Sequence, residues 1–139
     1  MALSIRNQLD GTVSAVTPGE VMATVKTRLS GGQEITAAVT REAVEDLGLA
    51  EGTAVRALVK STEVSLATGP VTGISIRNQL AGHVTAVATG GAMATVKVAV
   101  DGAELTASIT REAVAELGLE PGTPVVALLK STEVSLATG

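Results

Sequence analysis

The chain has 139 residues, 45% of them hydrophobic, yet it contains no Phe, Tyr, Trp or Cys and carries a formal charge of −4. The lack of cysteine excludes disulfides, zinc-thiolate sites and thiol nucleophiles. A net acidic chain without aromatic stacking platforms is a poor match for nucleic acid, so no such partner is expected. No stretch approaches the ~20 apolar residues of a membrane helix, and Met1–Arg6 shows no basic segment leading into a long apolar run. The chain is therefore expected to be cytoplasmic, with no membrane partner. Its core must be built from Val, Ala, Leu, Ile and Met. A half-length unit of this kind would be marginal alone, because domains near ~60 residues bury only ~60% of their unfolded surface. Burial between units is expected.

The sequence is one module written twice. Ser4–Leu9 recurs unchanged as Ser75–Leu80, Met22–Lys26 as Met93–Lys97, Thr40–Val44 as Thr110–Val114, and Lys60–Gly69 as Lys130–Gly139. One residue is lost where Ser30-Gly31-Gly32-Gln33 becomes Asp101-Gly102-Ala103, in a Gly-containing turn where a deletion is tolerated. Matching is uneven, since Lys26-Thr27-Arg28-Leu29 drifts to Lys97-Val98-Ala99-Val100. The boundaries read as module one over 1–69, a linker over 70–73 and module two over 74–139. With so short a linker the modules must touch.

In chain order, Ser4–Gln8 opens a strand, and Ser14–Thr17 forms an early strand ending at Pro18-Gly19. Val21, Ala23, Val25 and Leu29 then alternate with polar neighbours, as do Ile35, Ala37 and Val39. Period two predicts half-buried antiparallel strands, joined at Gly31-Gly32 by a hairpin. Thr40 is a suitable N-cap for a short helix, with Glu42 in its positive first turn, an apolar stripe of Ala43, Val44 and Leu47, and Gly48 at the C′ position. Val55–Val59 and Val64–Ala67 close the module as strands. The second module repeats the helix signals with Thr110, Glu112, Val114, Leu117 and Gly118. The fold class is all-β: two tandem OB-like five-stranded β-barrel modules, each with one short helix after the third strand. Val125–Leu129 is apolar on both faces, which predicts a cover from the partner module or from another subunit.

Catalytic inventories are poor, and no enzyme is expected. His83 is the only histidine, its counterpart in module one is Thr12, and no HExxH, GxSxG or Walker A pattern occurs. Glu42, Glu45 and Asp46 read as a solvated helix face. Gly31-Gly32 and Gly90-Gly91 fit hairpin turns rather than nucleotide loops. Two segments remain. Ser4-Ile5-Arg6-Asn7-Gln8 and its copy offer a hydroxyl, a guanidinium and two amides. Lys60-Ser61-Thr62 and its copy offer an ammonium and two hydroxyls at a strand-to-strand turn. Such a donor set, with positive charge and no central carboxylate, suits a divalent oxyanion. The alternative is that Arg6 and Lys60 pair with Glu63 or Glu51 on the surface while the hydroxyls only shape the turn.

At these segments, Ser-Ile-Arg-Asn-Gln-Leu followed some fifty residues on by Lys-Ser-Thr-Glu-Val-Ser-Leu-Ala, the sequence resembles the molybdate-binding Mop domain, which is related to TOBE domains. Both halves occur twice and in order, so the chain resembles the di-Mop molbindins over essentially its whole length. That resemblance implies OB-like barrels and trimeric assembly as a homotrimer. Oxyanions would sit between modules, one supplying the Ser-x-Arg-Asn segment and another the Lys-Ser segment, with further sites on a threefold axis. It carries over to Ser4, Arg6, Asn7, Lys60 and Ser61, and to Ser75, Arg77, Asn78, Lys130 and Ser131. Thr40 and Thr110, at helix N-termini, are weaker candidates. The implied ligand is molybdate or tungstate rather than a bare metal cation, and the implied role is intracellular molybdenum storage and homeostasis. A molybdenum-pterin cofactor is the alternative ligand, though the chain offers no aromatic side chain for a pterin. A purely structural or partner-binding module is the other alternative.

Overall fold

A computed structural model describes residues 2–139. Strands β1 (Asn7–Pro18), β2 (Met22–Leu29) and β3 (Glu34–Thr40) form a meander, followed by helix α1 (Arg41–Leu47), β4 (Ala54–Val59), a 3-10 turn (Ser61–Glu63) and β5 (Val64–Ala67). The second repeat follows with β6 (Asn78–Thr89), β7 (Met93–Val100), β8 (Ala103–Thr110), α2 (Arg111–Leu117), β9 (Pro124–Leu129), a 3-10 turn (Ser131–Glu133) and β10 (Ser135–Ala137). The predicted elements are present, except that Ser4–Gln8 and Ser14–Thr17 belong to one strand that begins at Asn7, which leaves Ser4–Arg6 outside it. The first strand is longer than Ser14–Thr17, because its N-terminal half continues along β4 from Asn7↔Val59 to Thr12↔Ala54.

The strands assemble into two curled five-stranded antiparallel sheets, ordered β10-β4-β1-β2-β3 and β5-β9-β6-β7-β8. Each sheet thus takes its fifth strand from the other repeat. Val64–Ala67 pairs with β9, not β4, and Ser135–Ala137 pairs with β4, not β9. Each sheet curls until its borrowed strand packs near the opposite edge, β5 near β8 and β10 near β3. The spatial barrel and the sequence repeat are therefore different units.

Local chemistry explains the helices. Thr40 Oγ1 accepts from the Ala43 N–H and Thr110 Oγ1 from the Ala113 N–H. Gly48 and Gly118 take the left-handed conformation, φ 64° and 62°, where a Cβ would be strained. The lost residue has a local explanation too. Asp101 and Gly102 both have positive φ, 48° and 78°, the signature of a two-residue type I′ hairpin that Asp-Gly favours. The tips of the two β-hairpins meet, Asp101 Oδ2 accepting from the Gln33 N–H at 2.8 Å. Gly31 lies so close to Asp101 that a side chain at position 31 would collide with it.

One apolar core runs through both repeats, from Leu9, Ile35, Val59 and Val64 to Leu80, Val96, Leu105 and Leu129, and a smaller cluster of Val13, Val25, Leu49 and Val55 fills the first barrel. Most of the predicted inward positions are buried. Val21 is a departure: it is 73% exposed because it precedes β2, in the turn. The doubly apolar strand Val125–Leu129 sits between β5 and β6 and leaves Leu128 only 7% exposed. The chain itself covers Leu128, while Val126 on the same face is half-buried.

One core position is chemically mismatched. Thr27 is fully buried between β1 and β3, and its hydroxyl has no hydrogen-bond partner among the described residues. Its counterpart, Val98, is equally buried. A buried unpaired hydroxyl costs about 1–3 kcal/mol. Thr27→Val should therefore stabilise the fold by about 1 kcal/mol, read as a higher urea midpoint with an unchanged denaturant slope.

Candidate functional site at the seam between barrels

The exchange fixes where the two motif segments lie. β4 ends at Val59 in the first barrel and β5 begins at Val64 in the second, so Lys60–Glu63 is the crossing. Lys130–Glu133 crosses back from β9 to β10. The other motif runs alongside each crossing, because Asn7 pairs with Val59 and Asn78 with Leu129. Segments far apart in sequence thus line one seam.

Asn7 and Asn78 are the anchors. The Asn7 Nδ2 donates to the Thr106 carbonyl at 2.8 Å and its Oδ1 accepts from the Thr106 N–H at 2.7 Å. Asn78 makes the matching pair with Thr36, at 2.7 and 2.8 Å. Both asparagines are buried, 1% and 3% exposed. β3 and β8 are the last strands of their sheets, and each amide acts as a one-residue strand against that edge, satisfying groups that would otherwise be unpaired. The side chains of Asn7 and Asn78 are therefore occupied in holding the barrels together.

Beside the second anchor, Ser75, Ile76, Arg77, Lys130, Ser131 and Thr132 line an open cavity of about 220 Å³. The structure here brings together two segments of the same repeat. On the first repeat the grouping differs. Ile5, Leu58 and Lys60 line a cavity of about 140 Å³ with Thr132 and Glu133 of the other crossing and Ser135 of β10, and Ser4, Arg6 and Ser61 are not in its wall. Arg6 instead folds back, donating from Nε to the Ser4 carbonyl at 3.2 Å and from Nη2 to the Leu3 carbonyl at 3.1 Å. Ser61 and Ser108 share a hydrogen bond between their hydroxyls at 2.9 Å. Thr40 and Thr110 lie four residues beyond Thr36 and Thr106 along their strands, roughly 13 Å of extended chain. Their hydroxyls cap α1 and α2, which leaves them outside the seam cavities.

The electrostatics separate the two readings of the cations. Among the described residues the ion pairs are Arg41–Glu45 and Lys97–Glu104. Arg6, Lys60, Arg77 and Lys130 make no ion pair with a carboxylate among the described residues, so the surface-pairing alternative involving Glu63 or Glu51 is not what the structure adopts. Sequence reasoning missed Thr36 and Thr106, which act through backbone groups and carry no side-chain signal. It also missed Ser108 and the Gln33 side chain, which donates to the Ala81 carbonyl and accepts from the Ala81 N–H at 3.1 Å each.

Exchanged small barrels with hydroxyls, amides and cations along their seam define a class: a protein made of paired OB-like modules. The TOBE domain model matches residues 3–66 and again 74–136, and the chain belongs to the TOBE domain family, carrying the domain twice. It is 39% identical over 138 residues to the molybdenum transport protein ModE of Azotobacter vinelandii, covering 99% of this chain and 51% of that protein. It is 40% identical over 139 residues to the molybdenum-pterin-binding protein MopA of Rhodobacter capsulatus, covering 99% of this chain and 52% of that one. The chain spans about half the length of these curated relatives. A solved structure of the cytoplasmic molybdate-binding protein ModG, in a form with molybdate bound, superposes with a TM-score of 0.96 at 42% identity, covering all of both chains.

The anchors set a stability expectation. Asn7→Ala should leave the Thr106 N–H and C=O unpaired at a buried seam, costing about 1–3 kcal/mol, and Asn78→Ala should do the same at Thr36. The two anchors share no partner, so the double variant should lose close to the sum. Chemical denaturation without added ligand measures this.

Proposed function

We propose that the protein binds molybdate or tungstate at its seam, as an intracellular store or buffer of the oxyanion, and has no catalytic role. The observation that carries this reading is the cavity uniting Ser75 and Arg77 with Lys130 and Ser131, whose cations are free of carboxylates. A tetrahedral dianion only accepts hydrogen bonds, and this wall is rich in donors. The likeness over the full chain to a molybdate-bound protein supports the same ligand. By the repeat, Ser4, Arg6, Asn7, Lys60 and Ser61 are the corresponding candidates on the first repeat, where of these only Lys60 lines the cavity, and Asn7 and Asn78 would contribute through their backbone and through the seam they hold. In this reading Arg6 must leave the Leu3 and Ser4 carbonyls to reach a ligand. A pterin-bearing ligand is less well supported. The sequence has no aromatic residue, and the described cavity is smaller than the ~300–1,000 Å³ usual for such molecules.

The assembly we propose is a homotrimer in the cytoplasm, with no nucleic-acid or membrane partner. No helix among the described residues is long and apolar enough to cross a membrane. Sedimentation equilibrium should give three times the mass of one chain; a single-chain mass at every concentration would reject the trimer.

Molybdate titration tests the site. A hydrogen bond to a charged group contributes about 1.5–3 kcal/mol, one to two orders of magnitude in affinity. Lys60→Ala should weaken the sites built on the first crossing, and Lys130→Ala those built on the second. The double variant should fold, since both lysines are exposed, and should lose most tight binding. Undiminished binding by the double variant would show that the crossings are only turns.

A further inference from the structure

The two crossings are identical in sequence from Lys60 to Gly69 and from Lys130 to Gly139, but they face different strands. The 3-10 turn beginning at Ser61 packs on β8, and the one beginning at Ser131 packs on β3. On β8 the residue that meets the serine is Ser108, whose hydroxyl shares a hydrogen bond of 2.9 Å with the Ser61 hydroxyl, in which either oxygen can accept. The repeat places Ala38 at the same position on β3: Ser108 pairs with Thr95 across the sheet and Ala38 with Thr24, the equivalent residue. Ala38 has no hydroxyl, and among the described residues Ser131 Oγ has no such donor.

We propose that Ser108 is a positioning residue that makes the two crossing sites unequal, giving the Ser61 site higher oxyanion affinity than the Ser131 site. The proposal rests on the oxyanion reading above. An oxyanion accepts and never donates, so a bound ligand requires the serine proton to point at it. The serine oxygen then has lone pairs to fill. At Ser61 the Ser108 hydroxyl fills one, which fixes the rotor of Ser61 and leaves its proton for the ligand. A hydroxyl that accepts a hydrogen bond is also polarised into a stronger donor. At Ser131 the rotor is free and unpolarised, so binding must order it.

The test is calorimetric titration of the assembled protein with sodium molybdate. The parent should show two classes of crossing site. Lys60→Ala should remove the tighter class and Lys130→Ala the weaker. A neutral hydrogen bond corresponds to roughly three- to ten-fold in affinity, so Ser108→Ala should weaken the tighter class by about that factor and merge the two. Ala38→Ser should strengthen the weaker class by a similar factor, a gain that general loosening of the fold cannot produce. The Ala38→Ser/Ser108→Ala double variant should exchange which lysine substitution removes the tighter class. Two unchanged classes in Ser108→Ala, or a single class in the parent, would overturn the inequality while leaving the oxyanion site standing. A parent that takes up no molybdate would overturn the oxyanion reading and this inference with it.

Discussion

Neither barrel owns its fifth strand. Val64–Ala67 completes the sheet of the second repeat and Ser135–Ala137 completes that of the first, and the rest of the architecture depends on this exchange. Because the chain crosses between barrels at Lys60–Glu63 and again at Lys130–Glu133, the core cannot divide along the sequence repeat. It runs instead from Leu9 and Val59 to Leu105 and Leu129 as one body. This is how a chain without aromatic side chains reaches adequate burial. Two ~60-residue units of Val, Ala and Leu would each be marginal, whereas an exchanged pair forms one core of twice the size. Within the exchanged pair β9 lies between β5 and β6, and Val125 and Ala127–Leu129 are buried while Val126 is half-buried.

A crossing strand leaves a seam, and the seam has its own chemistry. Edge groups of β3 and β8 are exposed to the other barrel rather than to a neighbouring strand, and the Asn7 and Asn78 amides satisfy them with two hydrogen bonds each. Buried amides of this kind are costly unless fully paired, and here they are paired. The same geometry brings a serine, a lysine and an arginine to the rim of a cavity without an accompanying carboxylate. The seam anchor and the donor-rich cavity wall therefore draw on neighbouring residues of one short segment. The segments that repeat unchanged include those at the crossings and anchors, while the Lys26–Leu29 stretch, which only has to present an alternating pattern, varies.

Where the repeats differ at the seam, they differ in complementary ways. The deletion that converts Ser30–Gln33 into Asp101–Ala103 produces a tight hairpin whose carboxylate accepts from the longer hairpin opposite. Gln33 clasps Ala81 with no equivalent from Ala103. Ser108 meets Ser61, whereas Ala38 stands at the equivalent place on β3. The molecule is thus a near-symmetric pair rather than a copied one, and two crossings of the same sequence sit in different surroundings.

The sequence by itself determined the repeat, the strand and helix order, the Thr40 and Thr110 caps, the Gly48 and Gly118 stops, and the donor-rich character of the two motif segments. These depend on local periodicity, backbone preference and side-chain chemistry, all carried by neighbouring residues. The family was legible as well, because both motifs occur twice at matching spacing. Only the tertiary structure decided which β4 or β9 each final strand joins, since Val64–Ala67 and Val134–Ala137 are the same four residues and either partner offers the same ladder. It alone decided that Asn7 and Asn78 spend their side chains on the backbone of Thr106 and Thr36, because a backbone acceptor leaves no mark in the sequence. The grouping of Ser75 and Arg77 with Lys130 and Ser131, the folding back of Arg6 and the pairing of Ser61 with Ser108 follow from the same cause. They depend on which strand faces which crossing, and that is settled by the exchange.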